Sequence, residues 1–249
     1  MIDLESHPVA VEAECLAASR DADLLEAWCR DRYSPALTAL VHRYSRLVLS
    51  VCRRRCCTEA DAEDAYQTTF LYLARNGQKI RKPECLAGWL QRVAQRAAIA
   101  TLKSTKRETE PMVEPPINPD DPLDRLTQRH EAIVLDEELS ELPEHYRTAL
   151  VMHLYEERPI QEVADHFDTT IGTVRGRLQR GKRMLAQRLR RRGIIPVVAF
   201  GASSAWTVTG SQASVAAEQF TQSIGTDLPS PPIETSLLES LLSDGARLM

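Results

Sequence analysis

The stretch PIQEVADHFDTTIGTVRGRLQRGKRML, residues 159–185, carries two amphipathic helical patterns on either side of a short polar break. The first pattern places four apolar residues on one face: Ile160, Val163, Ala164 and Phe167. The second pattern does the same with Ile171, Val174, Leu178 and Leu185. The break, Asp168-Thr169-Thr170, supplies an aspartate that tolerates left-handed backbone angles and a threonine N-cap. We therefore predict a helix-turn-helix.

The outer face of the second helix is basic. Between residues 169 and 193 the chain has nine Arg or Lys residues and no Asp or Glu. A solvated helical hairpin usually mixes charges of both signs, whereas a run of one sign repels itself unless a polyanion balances it. We therefore favour DNA binding over a plain hairpin, with the second helix in the major groove. The side chains that face outward include Thr173, Arg175, Arg177, Gln179 and Arg180.

Composition is typical of a soluble globular protein, with 43% hydrophobic and 27% charged residues. The length of 249 residues suits two small domains or one larger domain. Net charge is only −4, but the charges are segregated along the chain. Residues 43–107 hold fourteen Lys or Arg against five Asp or Glu, and residues 108–144 hold twelve acidic residues against two Arg. A basic domain, an acidic connector and a basic recognition segment therefore follow one another.

Apolar residues recur at helical spacing through most of the chain before this motif. We predict helices over 21–55 with a break at Ser34-Pro35, then over 60–76, 85–107, 123–142 and 144–155. Thr58 is the expected N-cap of the 60–76 helix. The Pro-rich acidic segment at 109–122 is predicted to be extended. The predicted fold class is all-α, with two small helical domains joined by an acidic linker.

Two local features of the first domain bear on function. Asp61, Glu63 and Asp64 cluster in the first turn of a helix, where the helix dipole favours negative charge without any partner. Trp89, taken alone, indicates a core residue more often than a base-stacking platform. Four cations accompany it in the sequence: Arg81, Lys82, Arg92 and Arg96. This combination fits single-stranded DNA, in which bases stack and phosphates need neutralising.

Three segments resemble motifs of the extracytoplasmic-function (ECF) sigma factors, members of the primary-sigma superfamily reduced to conserved regions 2 and 4. DAEDAYQTTFLYLAR (61–75) resembles the family's DAEDxxQxxFLxL helix, and PECLAGWLQRVAQRAA (83–98) resembles its promoter-melting segment. LPEHYRTALVMHLYEERPIQEVADHF (142–167), followed by GTVRGRLQRGKRML (172–185), resembles its promoter-reading helix-turn-helix. The resemblance covers about residues 20–193, with the three motifs in the family's order.

The resemblance implies a role for each motif. Core RNA polymerase, through its β′ and β subunits, is the implied partner; the residues at β′ are Asp61, Glu63, Asp64 and Gln67. The residues implied to hold melted promoter DNA are Arg81, Lys82, Trp89, Arg92 and Arg96. The residues implied to lie on the upstream promoter element are Thr173, Arg175, Arg177, Gln179 and Arg180. The expected function is promoter recognition, melting and transcription initiation at a specific regulon, in the cytoplasm, with no catalytic residue, metal or cofactor.

The implied domains are an N-terminal arm (1–20), a region 2-like domain (21–107), a linker (108–125), a region 4-like domain (126–193) and a C-terminal extension (194–249). Two positions depart from the family's pattern. Asp168 stands where the family usually has Gly, so we expect a left-handed turn at some strain. Gly176 stands where the family often has a hydrogen-bonding side chain, which costs about 1 kcal/mol of helix stability relative to Ala. Promoter preference is therefore not transferable.

The C-terminal extension begins with an uncharged run, GIIPVVAFGASSAWTVTGSQASVAA, at 193–217. A membrane span needs about 20 predominantly apolar residues, but this run contains Pro196 and several polar residues. We favour a helix or strand-like flap docked on the two domains, with membrane tethering and disorder as the alternatives. A last apolar stripe follows at Leu237, Leu238, Leu241 and Leu242. The resulting hypothesis is self-inhibition by the extension in place of a separate anti-sigma factor.

Six cysteines form no CxxC pair, and the N-terminus lacks the apolar core of a secretory leader, which predicts a reducing compartment. Cys52 and Cys56 share a helical face near His42, but structural zinc needs four ligands at closer spacing, so we expect buried free thiols. Two other classes stay open: a polymerase-independent helix-turn-helix regulator, and a membrane-attached signalling adaptor through residues 193–217. We do not expect an enzyme, because a Gly-rich phosphate loop, GxSxG and HExxH are absent.

Overall fold

The computed structural model describes residues 15–16, 18–108, 122–194, 210–223 and 239. Within those ranges the chain is helical and has no β-strand, which confirms the all-α class. The helices are, in order, α1 Asp21–Asp31, α2 Ser34–Arg55, α3 Glu59–Asn76, α4 Leu86–Glu108, α5 Pro122–Ser140, α6 Glu144–Leu150, α7 Ile160–His166, α8 Ile171–Arg191 and α9 Gly210–Ser223. Short 3-10 turns, Gly77–Lys79 and Pro83–Cys85, lead into α4, and a π-helical turn, Val151–Tyr155, continues α6.

Helices α1–α4 form a bundle whose interior is filled by the apolar stripes seen in the sequence. Tyr44 of α2 and Tyr66 and Phe70 of α3 are among its largest fully buried side chains. Trp28 Nε1 of α1 donates to the Ala74 carbonyl of α3 at 2.9 Å, which joins the first helix to the third. Burial of these aromatic rings stabilises the bundle, since each removes about 150–250 Å² from water.

Three local predictions about helix ends are confirmed. The Thr58 hydroxyl accepts from the Asp61 backbone N–H at 3.1 Å and caps α3. The Thr170 hydroxyl accepts from the Thr173 backbone N–H at 3.2 Å and caps α8. Asp168, in the turn between α7 and α8, has φ 48°, the left-handed conformation expected for a residue that replaces glycine there.

The helix-turn-helix packs on α6 through most of the residues expected from the pattern. Val163 and Ala164 of α7 and Val174, Leu178 and Leu185 of α8 are buried. The prediction that Ile171 points inward is wrong, because this side chain is 36% exposed. As the first residue of α8, Ile171 lies ahead of the buried stretch that begins at Val174.

The two halves of the chain are packed together through α5 and α6. Arg54 of α2 makes a bidentate ion pair with Asp136 of α5, with Nε–Oδ2 at 2.7 Å and Nη2–Oδ1 at 3.1 Å. The Tyr155 hydroxyl donates to the same carboxylate at 2.5 Å. Helix α5 begins at Pro122, inside the range predicted as linker, so the acidic connector contributes a packed helix as well as a tether. Residues 109–121 lie outside the part of the chain that the structure describes.

Helix α9 lies along α2 and places its apolar side on the first bundle. Ala213, Ala217 and Phe220 are buried there. The Phe220 ring centroid lies 6.1 Å from that of Tyr66 and 5.6 Å from that of Phe70. The C-terminal extension therefore contributes a docked helix to the first half.

The membrane interpretation of the extension falls mainly on residues 195–209, which are outside the described ranges, as is most of the apolar stripe at 237–242. Across the described ranges, no helix combines the length and apolarity needed to cross a membrane.

Candidate nucleic-acid and polymerase interfaces

Helix α8 presents most of the residues predicted for the upstream promoter element to solvent. The exposed ones are Thr173, Arg175, Gln179 and Arg180. Arg177 instead lies over the ring of Phe167, with its Cζ 4.8 Å from the ring centroid, in a cation–π contact that restrains the guanidinium. A Cβ added at Gly176 would meet nothing within 4 Å, so no close packing explains this glycine.

The inner side of α8 is fixed by close packing and by ion pairs. A Cβ at Gly181 would lie 3.0 Å from Leu150 Cδ1, so the missing side chain lets α8 approach α6 closely. Near its C-terminus, Arg188 and Arg192 bind the Glu138 carboxylate of α5 at 3.0 and 2.9 Å. The exposed side of α8 therefore faces away from the protein on a rigid support, the arrangement in which a recognition helix enters a major groove.

Of the five residues predicted to hold melted promoter DNA, Trp89 and Arg92 line one pocket on α4, whereas Arg81, Lys82 and Arg96 are not part of its lining. Trp89 stacks on Tyr72 of α3, with ring centroids 6.0 Å apart and planes 21° apart. The pocket has a volume of about 230 Å³, and Arg92 lines it together with these rings. Glu144 and Arg147 of the second half complete the lining. Aromatic faces beside cations are suited to stacked bases and phosphates.

The cations around this pocket are partly covered by the second half of the chain. Arg96 Nη2 lies 2.6 Å from Glu141 Oε1, and Lys82 Nζ lies 3.7 Å from Glu144 Oε2. Burial lowers the pKa of the Arg92 guanidinium. Its Nε and Nη2 atoms are buried and have no hydrogen-bond partner in the described part of the chain. Arg81 and Lys82 are nevertheless exposed.

The four residues predicted to contact polymerase lie in the first turns of α3 and differ in exposure. Glu63 and Gln67 are exposed. Asp64 is half-buried, and burial, together with the nearby Asp61 charge, raises the pKa of its carboxyl. Asp61 is only 9% exposed and accepts from the Thr58 hydroxyl at 2.7 Å. Of the four, Glu63, Asp64 and Gln67 therefore reach the surface, while Asp61 holds the start of the helix.

Sequence reasoning missed the buried Arg147 of α6, which is 3% exposed. Its Nε donates to the Gly88 carbonyl at 2.9 Å, and Nη1 donates to the Ser140 and Leu142 carbonyls at 2.8 and 3.0 Å. Burial, with the Arg92 charge adding to it, lowers the pKa of Arg147 to about 10. The sequence signal for such a position is a charged residue on the apolar face of a helical pattern. Arg147 lies three residues before Leu150, and both are buried.

The cysteine prediction concerned Cys52 and Cys56, and both are buried free thiols. Burial raises the pKa of each thiol, for Cys56 to about 12, so both remain protonated at neutral pH. No group of three or more His, Cys, Asp or Glu side chains that could hold a metal ion occurs among the residues described.

Two family models match the chain, Sigma-70 region 2 over residues 40–108 and Sigma-70, region 4 over residues 132–185. The chain is 25% identical over 129 residues to RNA polymerase sigma factor SigV of Bacillus subtilis (strain 168), which covers 50% of this chain and 74% of SigV. It is 26% identical over 156 residues to ECF RNA polymerase sigma factor SigE of Mycolicibacterium smegmatis, covering 61% and 60% of the two chains. It is 24% identical over 170 residues to ECF RNA polymerase sigma factor SigW of Bacillus subtilis (strain 168), covering 62% and 89%.

The matched models lie on the two helical halves in the order expected. Region 2 contains α3 and α4, with the aromatic pocket and the acidic helix start, and region 4 contains the helix-turn-helix. The chain therefore belongs to the sigma-70 family as an extracytoplasmic-function type RNA polymerase sigma factor, a DNA-binding protein of transcription initiation.

Proposed function

We propose that this sigma factor binds core RNA polymerase and directs it to the promoters of one regulon, where it reads the upstream element and holds the melted strand. The observation that supports the proposal most is the pairing, in one chain, of an aromatic and cationic pocket on α4 with an exposed basic helix α8. The first suits unpaired bases and the second suits duplex DNA. Catalysis would belong to polymerase, and the site of action is the cytoplasm, where polymerase and chromosome are.

In the proposal, polymerase docks on the acidic edge of α3. Glu63 and Gln67 are exposed there, and Asp64 is half-buried beside them. Carboxylates near a helix N-terminus are favoured by the helix dipole, so this edge is stable before a partner arrives. A cationic surface of the β′ subunit is the complementary partner, and the β subunit would meet region 4.

Melted promoter DNA would enter the pocket of Trp89 and Tyr72. Extruding a base from a duplex costs a few kcal/mol, which a protein offsets by capturing the base. The stacked rings supply an aromatic surface, and the cations supply phosphate contacts: Arg81, Lys82, Arg92 and Arg96. Upstream, Arg175 and Arg180 are placed to bond guanine O6 and N7, and each bidentate pair contributes about 1–3 kcal/mol of discrimination.

In-vitro transcription with purified core polymerase on a genomic library tests this function. We expect defined start sites preceded by a shared upstream sequence, and loss of polymerase association in Glu63→Arg. Glu26→Arg is the matched control, because it reverses an exposed carboxylate on α1 whose partner is the neighbouring Arg30. Failure of the intact wild-type chain to associate with core polymerase would overturn the proposal.

We also propose that the C-terminal extension inhibits this sigma factor by covering the polymerase-binding side of region 2. Phe220 of α9 packs on Tyr66 and Phe70, which lie on the same helix as the acidic edge. Val215 and Gln219 of α9 line a pocket of about 250 Å³ together with Glu63. A polymerase domain seated on Glu63 would therefore meet α9.

Two α9 variants separate docking from other effects of the tail. Phe220→Ala removes the buried ring and should release the helix, whereas Glu218→Gln alters an exposed side chain on the same helix that does not line the pocket with Glu63. We expect Phe220→Ala, and deletion of residues 194–249, to raise core-polymerase binding and promoter-specific transcription, with Glu218→Gln at the wild-type level. Equal activity of all four proteins at equal stability would leave inhibition to a separate anti-sigma factor.

A further inference from the structure

The N-terminal end of α8 exposes a large apolar side chain. Ile171 is 36% exposed, and among the residues described the other large apolar side chain in this state is Val215 of α9. The side of α8 that packs on the protein begins three residues later, at the fully buried Val174. Single exposed apolar side chains are common on protein surfaces, so the position of Ile171 decides what it does.

Hydrogen bonds fix the backbone on both sides of this side chain. The Thr170 hydroxyl accepts from the Thr173 backbone N–H at 3.2 Å, and the two threonine hydroxyls lie 2.9 Å apart. The Val174 backbone N–H donates to the Thr170 carbonyl at 3.1 Å. In a helix-turn-helix, the first residues of the second helix are those that contact base edges in the major groove. Ile171 is therefore held at the end of α8 that meets the bases.

The surroundings of Ile171 on α8 leave room for a close approach to DNA. A Cβ at Gly172 would meet only the Thr170 hydroxyl, at 3.8 Å, and a Cβ at Gly176 would meet no atom within 4 Å. Arg175, which is exposed, follows Ile171 by four residues, so their Cβ atoms are roughly 5–6 Å apart. Stacked bases are about 3.4 Å apart along the duplex. The two side chains can therefore contact base pairs that are one or two steps apart.

We propose that Ile171 is a specificity-determining residue that packs on the 5-methyl group of a thymine, one or two base pairs from the guanine bound by Arg175. This inference rests on the proposed role of α8 at the upstream promoter element. The isoleucine side chain has no hydrogen-bond donor or acceptor, and the thymine methyl is the apolar group that base edges present in the major groove. Contact with that methyl distinguishes thymine from cytosine, which has only hydrogen at the same ring position.

Substitution of uracil for thymine tests the contact, because uracil lacks only the 5-methyl group. The probe is a duplex selected from a random pool by the complex of the full-length chain with core polymerase, with each thymine of the upstream element replaced in turn. We expect one uracil to lower the wild-type affinity about fourfold, equivalent to the ~0.8 kcal/mol of one buried methyl-sized group. Ile171→Ala should bind the thymine and uracil probes equally at that position. A wild-type complex indifferent to uracil at every position would overturn the proposal.

Two control variants separate a base contact from a merely structural role. Val215→Ala truncates the other exposed apolar side chain, far from α8 in the sequence, and should keep the wild-type ratio of thymine to uracil affinities. Arg175→Ala should keep that ratio too, while losing its preference for guanine at the neighbouring base pair. If Ile171→Ala weakens binding to both probes by the same factor, or lowers thermal stability with the ratio unchanged, Ile171 only supports the start of α8 and the proposal is wrong.

Cytosine at the uracil-sensitive position provides the reverse test, since 5-methylcytosine carries the same methyl group in the major groove. We expect the wild-type complex to bind the methylated duplex about fourfold more tightly than the unmethylated one, and Ile171→Ala to bind both equally. Equal wild-type affinities would contradict the methyl contact. A shared upstream sequence without a methyl-sensitive position would leave the proposed function standing and overturn this inference, whereas selection of no shared upstream sequence would overturn both.

Discussion

Helices α4 and α8 are both basic, but their positive side chains differ in exposure. On α8, Arg175 and Arg180 are exposed. On α4, Arg96 is paired with Glu141, and Arg92 is half-buried, with its Nε and Nη2 atoms buried, in a pocket that Glu144 and Arg147 of the second half also line. Positive charge in a sequence therefore indicates affinity for nucleic acid without indicating whether the surface is available. The outer side of α8 is exposed, whereas part of the basic side of α4 is covered by the second half of the chain.

The difference in exposure arises from the charge of the segment that packs next to each helix. The corner between α5 and α6, which carries Glu141 and Glu144, is acidic and touches α4, whereas a Cβ added at Gly176 of α8 would lie within 4 Å of no atom among the residues described. The contacts of α4 with α5 and α6, called the joint below, and the exposed side of α8 can accordingly be altered by separate substitutions.

The largest expected effect is at the centre of the joint. Arg147→Ala leaves the Gly88, Ser140 and Leu142 carbonyls without their donor, so we expect the free energy of unfolding to fall by about 3–5 kcal/mol. Urea denaturation followed by circular dichroism measures it. Arg190→Ala, at an exposed position of α8, should stay within about 0.5 kcal/mol of wild type. Similar losses in the two variants would argue against a special role for Arg147.

A second expected effect is pH dependence at the other end of the joint. Arg158 Nε lies 2.6 Å from Glu156 Oε2. Burial, with the Asp21 charge of α1 adding to it and Arg158 opposing it, raises the pKa of Glu156 from 4.5 to about 7. The folded chain therefore holds a proton that the unfolded chain has lost between these values, and the free energy of unfolding should fall as pH rises from about 4.5 to about 7.

The amplitude of that fall is on the order of 2–3 kcal/mol. Thermal or urea denaturation across pH 4.5–8 measures it, and Glu156→Gln should flatten the profile because the amide does not titrate. Glu157→Gln, which alters the exposed neighbour, should keep the wild-type slope. A wild-type stability that rises over this interval would contradict the assigned proton.

At the open helix, Arg175→Ala should weaken binding to the promoter duplex found by start-site mapping by about 1–3 kcal/mol, because an exposed base or phosphate contact is lost. Fluorescence anisotropy at several salt concentrations measures both affinity and salt dependence. Arg177→Ala is the comparison, since its guanidinium packs on Phe167. We expect Arg177→Ala to lower thermal stability as well. The comparison fails if both variants lose affinity and neither loses stability.

The smallest expected effect is a gain. Gly176→Ala should raise the free energy of unfolding by about 0.5–1 kcal/mol, because a Cβ there meets no atom within 4 Å and alanine favours the helix. Differential scanning calorimetry measures it. Gly181→Ala is the contrasting change on the same helix, because its Cβ would lie 3.0 Å from Leu150 Cδ1. A stability gain in Gly181→Ala, with none in Gly176→Ala, would reverse our account of α8.

Local features of the fold could be predicted because short-range chemistry determines them. The caps at Thr58 and Thr170 and the left-handed turn at Asp168 each depend on a few consecutive residues. Helical periodicity likewise predicted which side of each helix is buried. Ile171 is an exception, because the apolar pattern continues past the end of the packed surface.

The contacts between the two halves could not be predicted from local sequence patterns. Arg54 and Asp136 are 82 positions apart, and no local pattern relates them. In the sequence, the acidic residues of α5 indicate only a solvated connector, because a carboxylate that will be buried against arginine looks the same as one that faces water. The candidate residues were thus predicted as three sets, one for polymerase and two for DNA, while the partial covering of the α4 set by the second half of the chain required the structure.

The docking of Phe220 has a consequence for dosage. A helix carried on the same polypeptide is present at one copy per target at every expression level, with an effective concentration on the order of millimolar for a short tether. Under the proposed self-inhibition, overproduction of the chain would raise inhibitor and target together, whereas it would exceed the supply of a separate inhibitor made in fixed amount. Output would then depend on whatever loosens the helix from the ring pair of Tyr66 and Phe70 in each molecule.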